Sequence, residues 1–138
     1  MITIEQAIDI NEADVKIINK GLDANAMQLR GQKPVEFFAF FMRDEKNQIV
    51  GGCSGFMYYG CLYLDQLWID AQYRGQDYGS KLVRAAEQMA HSKGCTFSTT
   101  ETMDWEGLDF YKKLGYYLES EQHGYTNDAV MYRLRKDW

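Results

Sequence analysis

The sequence predicts an α/β protein with a mixed sheet flanked by helices, and three features carry the prediction. Residues 62–70 form an apolar run of strand length, and apolar side chains then recur at helical spacing from Leu82 to Ala90. A second strand pattern follows at Cys95–Thr100, so the helix crosses over between parallel strands. Polar turns at 44–48 and 123–128 separate further strand-like pairs, which indicates antiparallel neighbours.

The first third of the chain is predicted to be mainly helical. Residues 2–7 alternate weakly between apolar and polar side chains and predict a first strand. Residues 11–30 predict two short helices broken near Gly21, with Asn11 as the N-cap. Pro34 ends this helical region.

The middle of the chain is predicted to be an antiparallel meander followed by the strand and helix of the opening prediction. Val35–Met42 is an apolar strand, and Ile49–Tyr59 is its partner. Gly60-Cys61 makes a tight connection into the central strand, and Gly94 is placed to end the crossover helix.

The last third is predicted to be a short helix and a closing strand pair. Trp105–Leu114 is the helix, with Asp104 as its N-cap, and Tyr116–Gln122 and Val130–Arg135 are the strands. The predicted order is therefore β-α-α-β-β-β-α-β-α-β-β. The closing strands would leave an edge that a second copy could pair with, which makes a homodimer an expectation.

Length and composition bound the possible classes of protein. With 138 residues and 46% hydrophobic side chains, we expect one folded domain over residues 1–138. The net charge of −5 argues against nucleic-acid binding. The apolar run Phe37–Met42 is too short to span a membrane, and the N-terminus lacks the basic region of a secretory signal. Three cysteines without metal-ligand spacing favour a cytoplasmic protein without a metal.

The turn at Gln72–Gly79 has the features of an anion site. It joins a strand to the start of a helix, where backbone N–H groups and the helix dipole attract negative charge. Gly75 and Gly79 permit positive φ angles or close approach of a ligand, and Arg74 adds a charge. The sequence matches neither the P-loop nor the dinucleotide fingerprint. From the residues alone, a phosphate site and a plain turn with an exposed arginine stay equally open.

Two blocks of residues resemble motifs of the GCN5-related N-acetyltransferases. Gln72, Arg74, Gly75 and Gly79 match the acetyl-CoA motif Gln/Arg-x-x-Gly-x-Gly/Ala and its extended form Arg-Gly-x-Gly-x-Gly, with Asp77 in place of glycine or alanine. The block 104–116 is similar to Asn-x-x-Ala-x-x-Phe-Tyr-x-Lys-x-Gly-Phe, with aspartate and glycine in place of the asparagine and the alanine. The predicted order of elements is also that of the resembled family.

The resemblance implies acetyl-CoA as co-substrate and a set of residues that hold it. The central strand would part from its parallel neighbour, and its backbone would pair with the carrier arm of coenzyme A. The pyrophosphate would lie on the turn, with Arg74 as its charged partner. The cofactor-binding residues implied are Leu67, Trp68, Ile69, Gln72, Tyr73, Arg74, Gly75, Gln76, Asp77, Tyr78, Gly79, Ser80, Asp104, Phe110 and Tyr111.

Two acidic residues differ from the family pattern at the implied cofactor site. Because a carboxylate near phosphates is repulsive, we expect the Asp77 side chain to point away or to cap the helix. Asp104 is expected to cap its helix first and to contact coenzyme A second, because an aspartate can only accept hydrogen bonds.

Two catalytic roles follow from the resemblance. Tyr111 matches the tyrosine that protonates the departing thiolate in many family members. A general base is harder to assign, and Asp65, Asp70, Glu101, His123 and a water chain all stay open. Glu101 is preferred because it lies toward the carboxyl end of its strand, where open α/β sheets place ligands.

The resemblance implies an N-acetyltransferase that moves an acetyl group directly to a primary amine. The acceptor would be a small amine, a lysine side chain or a protein N-terminus, and the acidic chain favours a cationic one. The alternative is a non-catalytic acyl-CoA-binding module with the same fold, which Asp77 and Asp104 would favour.

Overall fold

The computed structural model describes all of residues 1–138 and confirms a mixed α/β fold. The chain divides into two compact units, Met1–Val35 and Glu36–Trp138. That they act as one domain stays a prediction. No helix combines the length and the apolar character that a membrane crossing needs.

The first unit contains one helix, α1, Glu12–Arg30. Asn11 caps its start by accepting a hydrogen bond from the Ala13 N–H, as the sequence predicts. Gly31, in the left-handed conformation, ends it. The predicted break near Gly21 is wrong, because one glycine in a helix capped at both ends costs only about 1 kcal/mol.

The predicted strand at residues 2–7 is also wrong. These residues have no regular secondary structure, and no strand of the sheet pairs with them. The alternation of apolar and polar residues is weak here, and no neighbouring strand satisfies the backbone hydrogen bonds that a strand would need.

The second unit is one six-stranded sheet with two helices. Strands β1–β6 lie in the order β1-β2-β3-β4-β6-β5, and only β3 and β4 are parallel, as the crossover predicts. The bounds are β1 Glu36–Arg43, β2 Ile49–Tyr58, β3 Cys61–Ile69, α2 Tyr78–Ser92, β4 Phe97–Met103, α3 Leu108–Lys113, β5 Tyr117–Gln122 and β6 Met131–Asp137.

The core lies on the face of the sheet that carries α2 and α3, which we call the helix face. Leu62 and Leu64 of β3, Leu134 of β6 and Val83 of α2 are buried there. The second face carries the alternate side chains of the same strands, several of them aromatic. At the edge of the sheet, β5 is exposed along its whole length, and the homodimer stays a prediction.

Candidate active site

Strands β3 and β4 pair at one end and part at the other. Their pairing runs from Cys61 opposite Phe97 to Leu64 opposite Thr100 and stops there. Beyond this point β3 continues beside β2, and β4 continues beside β6. The Thr100 hydroxyl donates a hydrogen bond of 2.8 Å to the Leu64 carbonyl at the last paired position. A gap therefore opens between the two central strands.

A β-bulge in β3 marks the place where the strands part. Ser54 pairs with Gln66 but the next residue, Gly55, pairs with Leu64, so Asp65 is the extra residue. A Cβ at Gly55 would lie 2.0 Å from the Tyr63 carbonyl oxygen, so the bulge needs a glycine opposite it.

On the side of the gap, the backbone of β3 has N–H and C=O groups without a strand partner. The Asp70 N–H donates to the Val50 carbonyl on the β2 side. Because backbone groups alternate sides along a strand, Leu67 and Ile69 direct theirs toward the gap, whereas Trp68 pairs with Gly52. The Ile69 carbonyl accepts a 2.9 Å hydrogen bond from Arg74 Nε.

The turn after β3 leads into the start of α2 with unpaired N–H groups. Gly75 has φ of +76°, and Asp77 has φ of +68°. The first bond of α2 runs from the Lys81 N–H to the Asp77 carbonyl, so Tyr78, Gly79 and Ser80 have N–H groups without a helical partner. The turn therefore offers three N–H groups at the start of a helix, and their binding of an anion stays a prediction.

The Asp77 side chain takes one of its two expected arrangements. It makes no capping hydrogen bond, so the capping alternative is wrong. Its carboxylate lies 4.0 Å from Arg84 Nη1 on the exposed surface of α2. The left-handed backbone explains why glycine is common at this position, and aspartate tolerates that conformation better than most residues.

The two sequence motifs meet at Gly79. A Cβ there would lie 3.2 Å from two ring atoms of Phe110, so the start of α2 packs closely on α3. The Phe110 ring in turn lies 5.0 Å from the Tyr111 ring, and Tyr111 lies 5.4 Å from Tyr116. Packing therefore fixes Tyr111 relative to the turn.

Tyr111 is buried and keeps its proton. Only 6% of the residue is exposed. Burial raises the pKa of its phenol to about 12, and the neighbouring Thr100 hydroxyl opposes part of the rise. The phenol is a hydrogen-bond donor at the edge of the gap throughout the physiological pH range.

The prediction that Asp104 caps α3 is wrong. The helix begins only at Leu108, and Gly107 occupies the cap position without a side-chain bond. Residues 104–107 form a turn closed by the Glu106 N–H and the Met103 carbonyl. The Thr102 hydroxyl accepts from the Gly107 N–H and takes the place of a cap. Asp104 lines a separate cleft with Trp105 and Asn127.

Two clefts flank the end of β3. The first, the gap cleft, has a volume of about 360 Å³ and lies between the diverging strands. It is lined by Asp65, Leu67, Trp68, Ile69, Arg74, Glu101, Thr102, Glu106, Gly107, Phe110 and Tyr111. The second, the face cleft, has about 470 Å³ and lies beside β1 and β2. It is lined by Phe41, Ile49, Gly51, Gly52, Cys53, Ser54, Asp65, Gln66, Leu67, Trp68 and Glu106.

The candidates for a base separate into two groups. Asp65 and Glu101 line the gap cleft, and Glu101 forms an ion pair with Arg133 of β6. Asp70 and His123 line neither cleft. Asp70 accepts a hydrogen bond from the Gln72 N–H in the turn. His123 Nε2 lies 3.2 Å from Glu121 Oε2. Sequence analysis did not single out Glu106, which lines both clefts; its place within the second motif block was the one available signal.

Comparison with known proteins agrees with this geometry. Residues 13–116 match the model of the Acetyltransferase (GNAT) family. The chain belongs to the GNAT family. It is 33% identical to blasticidin-S acetyltransferase of Streptomyces morookaense over 106 residues, which are 76% of this chain and 78% of that enzyme.

Two solved GNAT-like structures have the same fold. One is a protein of Agrobacterium tumefaciens, provisionally named an acetyltransferase, with a TM-score of 0.86 and 25% identity over 100% of both chains. The other is a Bacillus anthracis protein crystallised with acetyl coenzyme A, with a TM-score of 0.67 and 20% identity over 75% of this chain and 63% of that one. This GNAT chain is an acetyl-CoA-dependent acetyltransferase.

Proposed function

We propose that this enzyme transfers an acetyl group from acetyl-CoA directly to the primary amine of a small cationic acceptor. The observation that carries the proposal is the meeting of the gap cleft and the face cleft at β3, where Asp65, Leu67, Trp68 and Glu106 line both. One cleft would hold the thioester and the other the amine. The name of the Streptomyces relative, which is that of an enzyme acetylating blasticidin S, supports a small acceptor.

Acetyl-CoA would enter with its phosphates on the turn and its arm in the gap. The free N–H groups at the start of α2 suit the pyrophosphate, together with Arg74. The backbone of Leu67 and Ile69 would pair with the pantetheine arm as a further strand would. An N–H of this pair would donate to the thioester oxygen as negative charge develops there.

The acceptor reaches the enzyme as an ammonium ion and must lose a proton before it attacks. Three carboxylates line the gap cleft, those of Asp65, Glu101 and Glu106, and the first two are the candidates that the sequence offered. The amine nitrogen then bonds to the thioester carbon and gives up its second proton to water, and the carbon–sulfur bond breaks. We retain Glu101 as the proposed base, and Asp65 at the bulge is the competitor, since Arg133 holds Glu101 in an ion pair.

Tyr111 would stabilise the departing sulfur. Its phenol is protonated, buried and fixed by two neighbouring rings at the gap. A thiol has a pKa of about 8.5, so the phenol acts first as a hydrogen-bond donor to the developing thiolate. The proton that finally reaches sulfur is replaced on the tyrosine from solvent.

The test is an acetylation assay on a panel of amines, with CoA release and the mass of the acetylated product as readouts. The panel contains small diamines, an aminoglycoside and a lysine peptide. We expect acetylation of small diamines with a higher kcat/KM than of the peptide. Acetyl-CoA binding without acetylation of any amine would overturn the proposal, and preference for the peptide would replace the small acceptor with a protein one.

The same assay separates the two carboxylates. Replacing the true base by its amide, as Glu101→Gln or Asp65→Asn, should lower kcat about 10²-fold or more at neutral pH and remove the acid limb of the pH profile. Glu119→Gln, an exposed carboxylate on β5, is the matched control. If both amides keep full activity, neither residue is the base, and Glu106→Gln then distinguishes the remaining carboxylate of the gap cleft from a water chain.

A further inference from the structure

Three residues in one row across three strands form a slot on the second face of the sheet. Phe41 of β1 pairs with Gly52 of β2, and Gly52 pairs with Trp68 of β3. Phe41 and Trp68 are 57% and 51% exposed, and all three residues line the face cleft. The row therefore places two aromatic side chains on either side of a residue that has none.

Gly52 has no side chain, so the space between Phe41 and Trp68 is open. A Cβ at this position would lie 2.6 Å from the Phe40 carbonyl oxygen and 3.3 Å from Cδ1 of Phe41. The short distance to the Phe41 ring puts that ring on the same face as the absent side chain. Any other residue here would occupy the space between the aromatic walls.

The spacing of strands sets the width of the slot. Neighbouring strands lie about 4.8 Å apart, so the two aromatic positions are separated by roughly 10 Å. A flat group midway between them would be about 5 Å from each ring, within the roughly 4.5–7 Å range of favourable aromatic pairs. A bulky tetrahedral group fits this spacing less well.

The charges around the slot favour a cation. Asp65 and Glu106 line the same cleft, and Ser54 and Gln66 are joined by a hydrogen bond of 3.1 Å in the adjacent row. The nearby cation, Arg43, does not line the cleft: it donates to the Asn47 carbonyl, and its guanidinium carbon lies 5.8 Å from the Phe41 ring centroid.

We propose that the acceptor carries a planar cationic group, such as a guanidinium or amidinium, stacked between Phe41 and Trp68 above Gly52. This inference rests on the proposed function for the position of the amine, which would extend from the slot past Asp65 toward the thioester. The slot is then a specificity-determining subsite that selects acceptors by shape and charge together.

Binding of probes that cannot be acetylated tests the slot independently of turnover. The readout is the shift of the Trp68 indole N–H resonance in the full chain saturated with coenzyme A. Benzamidine, whose amidinium is a planar cation, should bind about tenfold more tightly than benzyltrimethylammonium, whose cationic group is tetrahedral, and than benzamide, a neutral planar molecule. Equal binding of the two cations would overturn the planar requirement, and equal binding of benzamide would overturn the charge requirement.

Variants identify the walls. Phe41→Leu should remove the preference for benzamidine, and Phe37→Leu, on the same strand and face but packed against Phe56 outside the cleft, should keep it.

In turnover, the wild type should prefer agmatine, with a planar guanidinium, over 1,4-diaminobutane by about tenfold in kcat/KM. Acetylation of agmatine and 1,4-diaminobutane without preference would refute the slot and leave the proposed function intact. Benzamidine binding without acetylation of any amine would refute the function and leave the slot intact.

Discussion

The gap between β3 and β4 is built mainly from backbone, whereas the face cleft is built from side chains that strand pairing brings into one row. In the gap, Leu67 and Ile69 present N–H and C=O groups, and the start of α2 presents three more N–H groups. In the face cleft, Phe41, Gly52 and Trp68 come from three strands. A site made of backbone tolerates many sequences, and a site made of side chains specifies its ligand.

This difference predicts where substitutions act. Changes that disturb the shape of β3 or of the turn should weaken acetyl-CoA binding or the chemical step, whichever acceptor is used. Changes to the walls of the face cleft should alter the choice of acceptor and leave the cofactor unaffected. The following substitutions test that division.

The largest effect is expected at the bulge. In Gly55→Ala the new methyl group would lie 2.0 Å from the Tyr63 carbonyl, so the strand pair must shift. We expect a loss of about 3 kcal/mol in the free energy of unfolding, measured with urea, together with loss of activity. Gly21→Ala, in a helix with nothing within 4 Å of the new Cβ, is the control and should raise stability slightly. An active Gly55→Ala enzyme of full stability would show that the bulge is dispensable.

A comparable effect on the reaction is expected at Tyr111. Tyr111→Phe should lower kcat about 10²-fold, because the departing sulfur loses its hydrogen-bond donor. The dissociation constant of acetyl-CoA, measured by calorimetry, should change less than about twofold, since the ring packing is kept. A normal kcat would limit Tyr111 to a packing role.

Alkaline pH should destabilise the protein, and Tyr111 should account for part of the loss. Burial raises the pKa of Tyr111 from 10.0 to about 12 and the pKa values of Cys53 and Cys61 from 9.0 to about 11. The unfolded chain therefore releases these protons first, so the contribution of these three groups to stability is constant below pH ~9 and falls between pH ~9 and ~12. Tyr111→Phe should flatten the decline above pH ~10 by up to about 2 kcal/mol, and Tyr125→Phe, an exposed tyrosine, should not. A free energy of unfolding that rises between pH ~9 and ~12 would contradict the raised pKa values of these buried groups.

A moderate effect is expected where the two motifs touch. Gly79→Ala places a methyl group 3.2 Å from the Phe110 ring, so α2 or Phe110 must give way by a few tenths of an ångström. We expect acetyl-CoA to bind about fivefold more weakly, because the N–H groups at the start of α2 move with the helix. The double variant Gly79→Ala with Phe110→Leu should bind acetyl-CoA more tightly than Gly79→Ala alone. If the losses of affinity caused by the two substitutions simply add, the contact between residue 79 and Phe110 is not the cause.

The smallest effect is expected at Asp77. Its carboxylate lies beside Arg84 and caps no N–H group, so Asp77→Gly should lower the KM for acetyl-CoA by no more than about twofold. Asp77→Ala is the informative comparison, because alanine is strained at a φ of +68°. A larger fall in the KM for acetyl-CoA in Asp77→Gly would indicate that the Asp77 carboxylate lies near the phosphates.

The elements that were predicted correctly from the sequence are those that depend on local chemistry. The strand, turn and helix from Leu62 to Gly94 and the parallel partner strand follow from apolar periodicity, glycine placement and the handedness of crossovers. The position of Tyr111 at the gap followed from the family resemblance. The capping role of Asp104 was wrong because a turn at 104–107 competes with the helix, and periodicity carries no information about such a turn.

The row Phe41–Gly52–Trp68 could not be predicted from the sequence. Strand register determines which residues meet, and one bulge at Asp65 shifts every later pair between β2 and β3. Without the bulge, Gly52 would face a different residue of β3. The same limit applied to Glu106, whose contact with both clefts depends on how the turn after β4 folds.

The most direct test of the division between the two sides of β3 is calorimetric titration of acetyl-CoA into the wild type, Phe41→Leu and Arg74→Ala. Phe41 lines only the face cleft, whereas Arg74 lines only the gap cleft. We expect Phe41→Leu to bind acetyl-CoA as the wild type does, within about twofold, and Arg74→Ala to bind it at least about tenfold more weakly. Equal weakening by both substitutions would show that cofactor and acceptor share one site, which contradicts the proposed division between the two clefts.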